Sequence, residues 1–146
     1  MDSIDSKIIE CLCENARMNF SEIGERVGLS VSAAIERVKK LKNSGVIKKY
    51  TTILDDEAFD KEVTAIVTVR LDHPKYTKEF IKADLENKDV LECHYVAGDY
   101  DYLLKVVTHS PKTLEKVIQK IKSFNGVSRT NTTIVLSTLK CEYSIL

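Results

Sequence analysis

Four basic side chains, Arg37, Lys39, Lys40 and Lys42, fall within the stretch VGLSVSAAIERVKKLKNSGVI at 27–47. Clustered cations neutralise phosphates. They also form plain solvated helix faces, and here the cluster stands in a chain with 22 basic residues, 22 acidic residues and no net charge. Attraction to a polyanion is therefore a local property, set by which face of one helix carries the charge. A second stretch with chemical potential is AGDYDYLL at 97–104. Gly98 permits an unusual backbone dihedral, and Asp99 and Asp101 bond nearby amides, which together make a β-turn. The same carboxylates can receive an α-ammonium group. Backbone donors near the glycine, with the hydroxyls of Thr130, Thr132 or Thr133, can hold an α-carboxylate.

Other constellations lead nowhere catalytic. The five glycines are scattered, so no loop cradles phosphate. No serine sits in a nucleophile elbow. His73, His94 and His109 are isolated from one another in sequence. Cys11 and Cys13, two residues apart on a helix, point to different faces and have no second Cys or His pair to complete a zinc site. Cys93 and His94 are strand neighbours on opposite faces. The expectation is no enzyme, no metal, no cofactor and four free thiols. No apolar run is long enough to cross a bilayer. The start, MDSIDSKIIE, is acidic early and is not a signal peptide, so a cytoplasmic location and no membrane partner are expected.

The elements that must position these residues follow from periodicity and capping. Ile4, Ile8, Cys11 and Leu12 give a first helix from Ser3 to about Ala16, capped by Asp2 or Ser3. Asn19 followed by Glu22 is a capping-box variant opening a second helix, with Phe20, Ile23 and Val27 inward and Gly24 allowing close approach of another helix. Gly28 ends it and Ser30 caps a third, which makes a helix-turn-helix. In the third helix Val31, Ala34, Ile35, Val38 and Leu41 form the apolar stripe. VIKKYTTIL then reads as a wing or arm and a linking strand. From about residue 60 the pattern becomes β-α-β-β-α-β: Val63 to Leu71 alternating, a helix through Asn87 carrying Tyr76, Phe80, Ala83 and Leu85, strands at 90–98 and 101–109, a helix capped by Ser110 with Pro111 at its first position, and a last strand or pair of strands at 127–140. The fold class is α+β: a helix-turn-helix, winged-helix-like domain at 1–50, a linker strand at 51–62, and a ferredoxin-like domain at 63–146. Helices cover one sheet face. The other keeps apolar residues such as Ile66, Val96, Leu103 and Val107, and a second copy of the chain is the simplest cover.

Three stretches carry a family resemblance: IDSKIIECLCENARMNFSEIGERVGLS, ERVKKLKNSGVIKKYTTILD and HYVAGDYDYLLKV. In this order they resemble the Lrp/AsnC family, the feast/famine transcription regulators, over essentially the whole chain. The resemblance implies a DNA-binding head, a linker strand and a ferredoxin-like domain for effector binding and oligomerisation. It implies a homodimer assembling to a tetramer or octamer, and an amino acid as effector. It also carries Gly98, Asp99, Asp101 and Tyr102, with Thr130 and Thr132, to the effector site. The chain departs from the family after Leu29-Ser30, where prolines are frequent in the family and Val31-Ser32-Ala33 stands here. The operator sequence therefore cannot be inferred from the family.

With the apolar stripe of the third helix turned inward, the basic residues project outward, and such a helix fits the major groove of double-stranded DNA. Ser30, Ser32, Ala33, Glu36 and Arg37 are the candidates at the base-reading end. Glu36 would accept from cytosine, and Arg37 would reach guanine or a phosphate. Lys39, Lys40, Lys48 and Lys49 are assigned to phosphates. The competing reading is a ferredoxin-like small-molecule-binding module whose helical head meets a protein partner.

Overall fold

The computed structural model describes residues 1–145, without the side chains of Asp84 and Leu85. Leu85, expected on the periodic face of its helix, thus lies outside the described side chains. The chain forms two compact units, Met1–Ile53 with Lys140–Leu146, and Leu54–Leu139.

The first unit holds three helices, α1 (Ser3–Glu14), α2 (Phe20–Val27) and α3 (Val31–Asn43). Asp2 caps α1 in a reciprocal box: Asp5 N–H donates to Asp2 and Asp2 N–H donates to Asp5. Asn19 caps α2 by accepting from Glu22 N–H, and Ser30 caps α3 by accepting from Ala33 N–H. These caps satisfy amides that have no partner inside their own helix. Ile8, Cys11, Met18, Ile23, Ala34, Val38 and Leu41 bury together as one core.

The turn between α2 and α3 depends on two glycines. Gly28 takes the left-handed conformation (φ 71°) that ends α2. Leu29 N–H donates to Gly24 C=O at 2.8 Å. A Cβ on Gly24 would stand 2.6 Å from the Leu29 carbonyl oxygen. The close backbone approach expected from Gly24 is thus real, although its neighbour is the turn itself. Two expected inward residues are exposed. Phe20 is 38% exposed and Val31 46%, because each is the first residue of its helix, where the chain is still entering the bundle.

The expected wing and linker strand differ from the structure. Among the described residues, 48–55 carry no helix or strand. A strand exists only through hydrogen bonds to a neighbour, and this segment pairs with no strand of its own chain.

The second unit is a four-stranded sheet in the order β2-β3-β1-β4, built from β1 (Val63–Leu71), β2 (Val90–Tyr95), β3 (Tyr102–Thr108) and β4 (Val127–Ile134), with α4 (Thr77–Leu85) and α5 (Pro111–Lys122) between strands. All three pairings are antiparallel. The β-α-β-β-α-β order with β1 and β3 central is the ferredoxin-like arrangement. One face carries Ala65, Val67, Val69, Tyr102, Leu104 and Val106, which bury with Phe80 of α4 and Leu114, Val117 and Ile121 of α5. The cross-strand register puts Ile66 opposite Lys105, Thr68 opposite Leu103 and Thr64 opposite Val107, so Ile66, Leu103 and Val107 share the other face, as the alternation requires.

Candidate nucleic-acid interface and effector site

Helix α3 separates its residues by face. Ala34, Val38 and Leu41 are buried, while Ser32, Glu36, Lys39, Lys40 and Asn43 are exposed and recur at helical spacing on the opposite side. Ala33 is partly buried and flanks this stripe. The Ser30 hydroxyl, besides capping Ala33, lies 3.1 Å from the Ser32 hydroxyl. Lys48 and Lys49 are exposed in the segment after α3. Lys42 stands over the Tyr50 ring at 5.6 Å, a cation–π contact that holds the start of that segment against the helix end.

Arg37 is placed differently from its neighbours. Its Nη1 donates to Asp2 Oδ2 at 2.6 Å and to Asp5 Oδ1 at 2.8 Å. The guanidinium hydrogen bonds hold both carboxyls below the usual aspartate range, and the same bonds raise the arginine above its own. The arginine's charge is balanced inside the head, and its bonds tie the start of α1 to the middle of α3. The two aspartates are visible in the sequence, but nothing in their spacing signals that they meet Arg37.

The turn between β2 and β3 lies at one end of the sheet. Gly98 has φ 146°, a left-handed-side conformation that side chains avoid. Asp101 is built into the fold: Leu71 N–H donates to its Oδ2 at 2.7 Å, and its own N–H donates to Val69 C=O. Thr130 pairs across the ladder with the same Val69, and Thr132 with Val67. Gly98, Asp99, Asp101 and Thr130 therefore come to one end of β1 from both sides, with Thr132 one step inward. Tyr102 goes elsewhere. It is 2% exposed, packs on Phe80 with ring centroids 5.0 Å apart, and donates its hydroxyl to Thr77. The alternation that turns Leu103 outward turns Tyr102 into the core.

Three residues that sequence reasoning missed also lie here. The Arg129 guanidinium stands over the Tyr100 ring at 5.6 Å, and Arg129 pairs across the ladder with Arg70. No signal in the sequence joins positions 70, 100 and 129; only strand pairing does. Among the described residues no group of three or more His, Cys, Asp or Glu side chains converges on a metal position. No described helix is long and apolar enough to cross a membrane.

A helix-turn-helix with an exposed basic stripe, followed by a ferredoxin-like unit with a glycine-aspartate turn at its sheet end, defines a DNA-binding regulator with a ligand-binding domain. Residues 1–42 match the AsnC-type helix-turn-helix domain, and residues 64–145 match the Lrp/AsnC ligand binding domain. The chain belongs to the Lrp/AsnC family of transcriptional regulators, and its class is that of regulators rather than enzymes. It is 36% identical to the HTH-type transcriptional regulator FL11 of Pyrococcus horikoshii over 96% of this chain and 92% of that one. It is 34% identical to the leucine-responsive regulatory protein of Haemophilus influenzae, over 96% and 86% respectively. Among solved structures, the transcriptional regulator NMB0573 of Neisseria meningitidis, crystallised as a complex with L-Met, superposes with a TM-score of 0.94 at 28% identity. That match covers 100% of this chain and 96% of the other.

Proposed function

We propose that this regulator binds a specific double-stranded DNA site through α3 and that an amino acid bound near the Gly98–Asp101 turn changes its assembly or its DNA affinity. The observation that carries the DNA reading is the exposed stripe Ser32, Glu36, Lys39 and Lys40 behind the buried Ala34, Val38 and Leu41. Ser32 and Glu36, near the helix start, face base edges, with Ser30 and Ala33 beside them. Lys39, Lys40, Lys48 and Lys49 hold phosphates. Arg37 supports the interface from behind by fixing α3 to α1. The protein acts in the cytoplasm as a homodimer formed over the open sheet face, where Ile66 and Leu103 need a cover, and dimers assemble to a tetramer or octamer. Two heads on one assembly raise the effective concentration of the second at its half-site.

The effector acts by linkage. If the amino acid and the DNA each prefer one arrangement of the assembly, each changes the other's affinity by the same factor. Asp99, whose carboxylate has no hydrogen-bond or ion-pair partner among the described residues, receives the α-ammonium group. Gly98, Thr130 and Thr132 border the site, while Asp101 fixes the turn to β1.

Footprinting of the DNA upstream of the protein's own gene, with and without an amino-acid mixture, tests this reading. A protected site whose occupancy responds to the mixture is expected. Absence of duplex binding at low salt would favour the alternative, a small-molecule-binding module whose head meets a protein partner.

A further inference from the structure

Arg70 and Arg129 are direct cross-strand partners on β1 and β4, so their side chains leave the same face of the sheet side by side. Like charges placed directly opposite destabilise a sheet. Both are exposed, and among the described residues no carboxylate forms an ion pair with either. Arg129 also lines an open concavity of about 290 Å³ with Lys122, Val127, Ser128 and Thr130. That lining holds two cations, two hydroxyl side chains and no acid. The Ser128 hydroxyl donates to Arg70 C=O, which pins β4 at this point. The Arg129 guanidinium is steadied by the Tyr100 ring, one residue from Asp99. A planar, pre-positioned guanidinium with unmatched positive charge around it suits a carboxylate.

We infer that Arg129, supported by Arg70 and Lys122, is a carboxylate-binding site, and that the group it takes is the α-carboxylate of the amino-acid effector. This rests on the reading of an amino-acid effector and names the group of it that binds here. It assigns the carboxylate to a side-chain cation instead of to the backbone and threonine donors of the turn alone.

Thermal melting of the full chain at constant ionic strength, with chloride replaced stepwise by acetate or inorganic phosphate, tests the inference. Parallel titrations use an amino-acid mixture and the corresponding amino-acid amides, which lack the carboxylate. The wild type should be stabilised saturably by acetate and by the amino acids, and not by the amides. Arg129→Gln should raise the half-saturating concentration for both by at least about tenfold, the loss of one charge-assisted hydrogen-bonded contact. Arg70→Gln should weaken the response less. Phosphate acting where acetate does not would overturn the carboxylate assignment. Amino acids stabilising Arg129→Gln as well as wild type would overturn the inference while leaving the effector reading standing. Stabilisation by acetate but by no amino acid would sink the effector reading and keep the carboxylate site.

Discussion

Arg37 of α3 and Asp5 of α1, 32 positions apart in sequence, meet at 2.8 Å, and Asp5 is at the same time half of the capping box that starts α1. The central cation of α3 thus works first as a strut between two helices. Arg37→Ala should lower the melting temperature of the head, and Arg37→Lys, which keeps the charge but moves it off the planar guanidinium whose Nη1 donates to both carboxylates, should restore only part of it. DNA affinity should fall with the stability, yet the salt dependence of binding should stay as in wild type. A shallower salt slope in Arg37→Ala would show that the arginine contacts a phosphate after all.

The same cluster sets an acid limit. Asp2 and Asp5 have lowered values in the folded head because Arg37 bonds their charged forms. A carboxyl lowered on folding adds stability that is complete above its unfolded value, about 3.9, and disappears as pH falls through the folded value. Wild type and Asp5→Asn should therefore differ in melting temperature near neutrality, and the difference should begin to shrink only as pH falls below about 4 and close as it passes the lowered folded value. A difference that did not shrink at all on acidification would have another origin.

Lys39→Ala and Lys40→Ala leave the buried face of α3 untouched, so stability should change by less than about 0.5 kcal/mol. Each should reduce the slope of log affinity against log salt by about 0.9 for every phosphate it neutralises. Anisotropy titrations of a labelled duplex at several salt concentrations measure this directly. An unchanged slope in both variants, and in Lys48→Ala and Lys49→Ala, would remove these lysines from the interface.

Gly24→Ala places a methyl 2.6 Å from the Leu29 carbonyl oxygen, a backbone atom that moves only if the turn opens. A cost of about 1–3 kcal/mol is expected, the range for forced overpacking, with loss of DNA binding at temperatures where the second unit remains folded. Thermal unfolding monitored by circular dichroism would reveal it as an earlier loss of helix signal. A neutral substitution would mean that the turn is looser than its geometry.

Substitutions at Tyr102 and Asp99 should separate structure from response. Tyr102→Phe removes one hydroxyl donor to Thr77 and should cost about 1 kcal/mol without shifting the effector response. Asp99→Asn should leave stability nearly unchanged and blunt the response to amino acids. Asp101→Ala should behave like neither: it frees Leu71 N–H from its acceptor and loosens the turn, so stability and response fall together. Response curves read as DNA affinity against amino-acid concentration separate the three.

Local signals determined a large part of this chain. The caps at Asp2, Asn19, Ser30 and Ser110, the left-handed Gly28, the buried alternation from Ala65 to Leu71 and the inward face of Ala34, Val38 and Leu41 all follow from rules that act within a few residues. Those rules made the ferredoxin-like order legible and the charge-bearing face of α3 predictable. The tertiary structure decided what depends on distant partners. It drew Arg37 to Asp2 and Asp5, sent Tyr102 into the core, tied Asp101 to β1, set Arg70 beside Arg129, and left 48–55 without a strand. Periodicity says which way a side chain points, because that is fixed by the backbone's own repeat. Which group it meets there depends on strand order and helix packing, and those are settled only when the whole chain has folded.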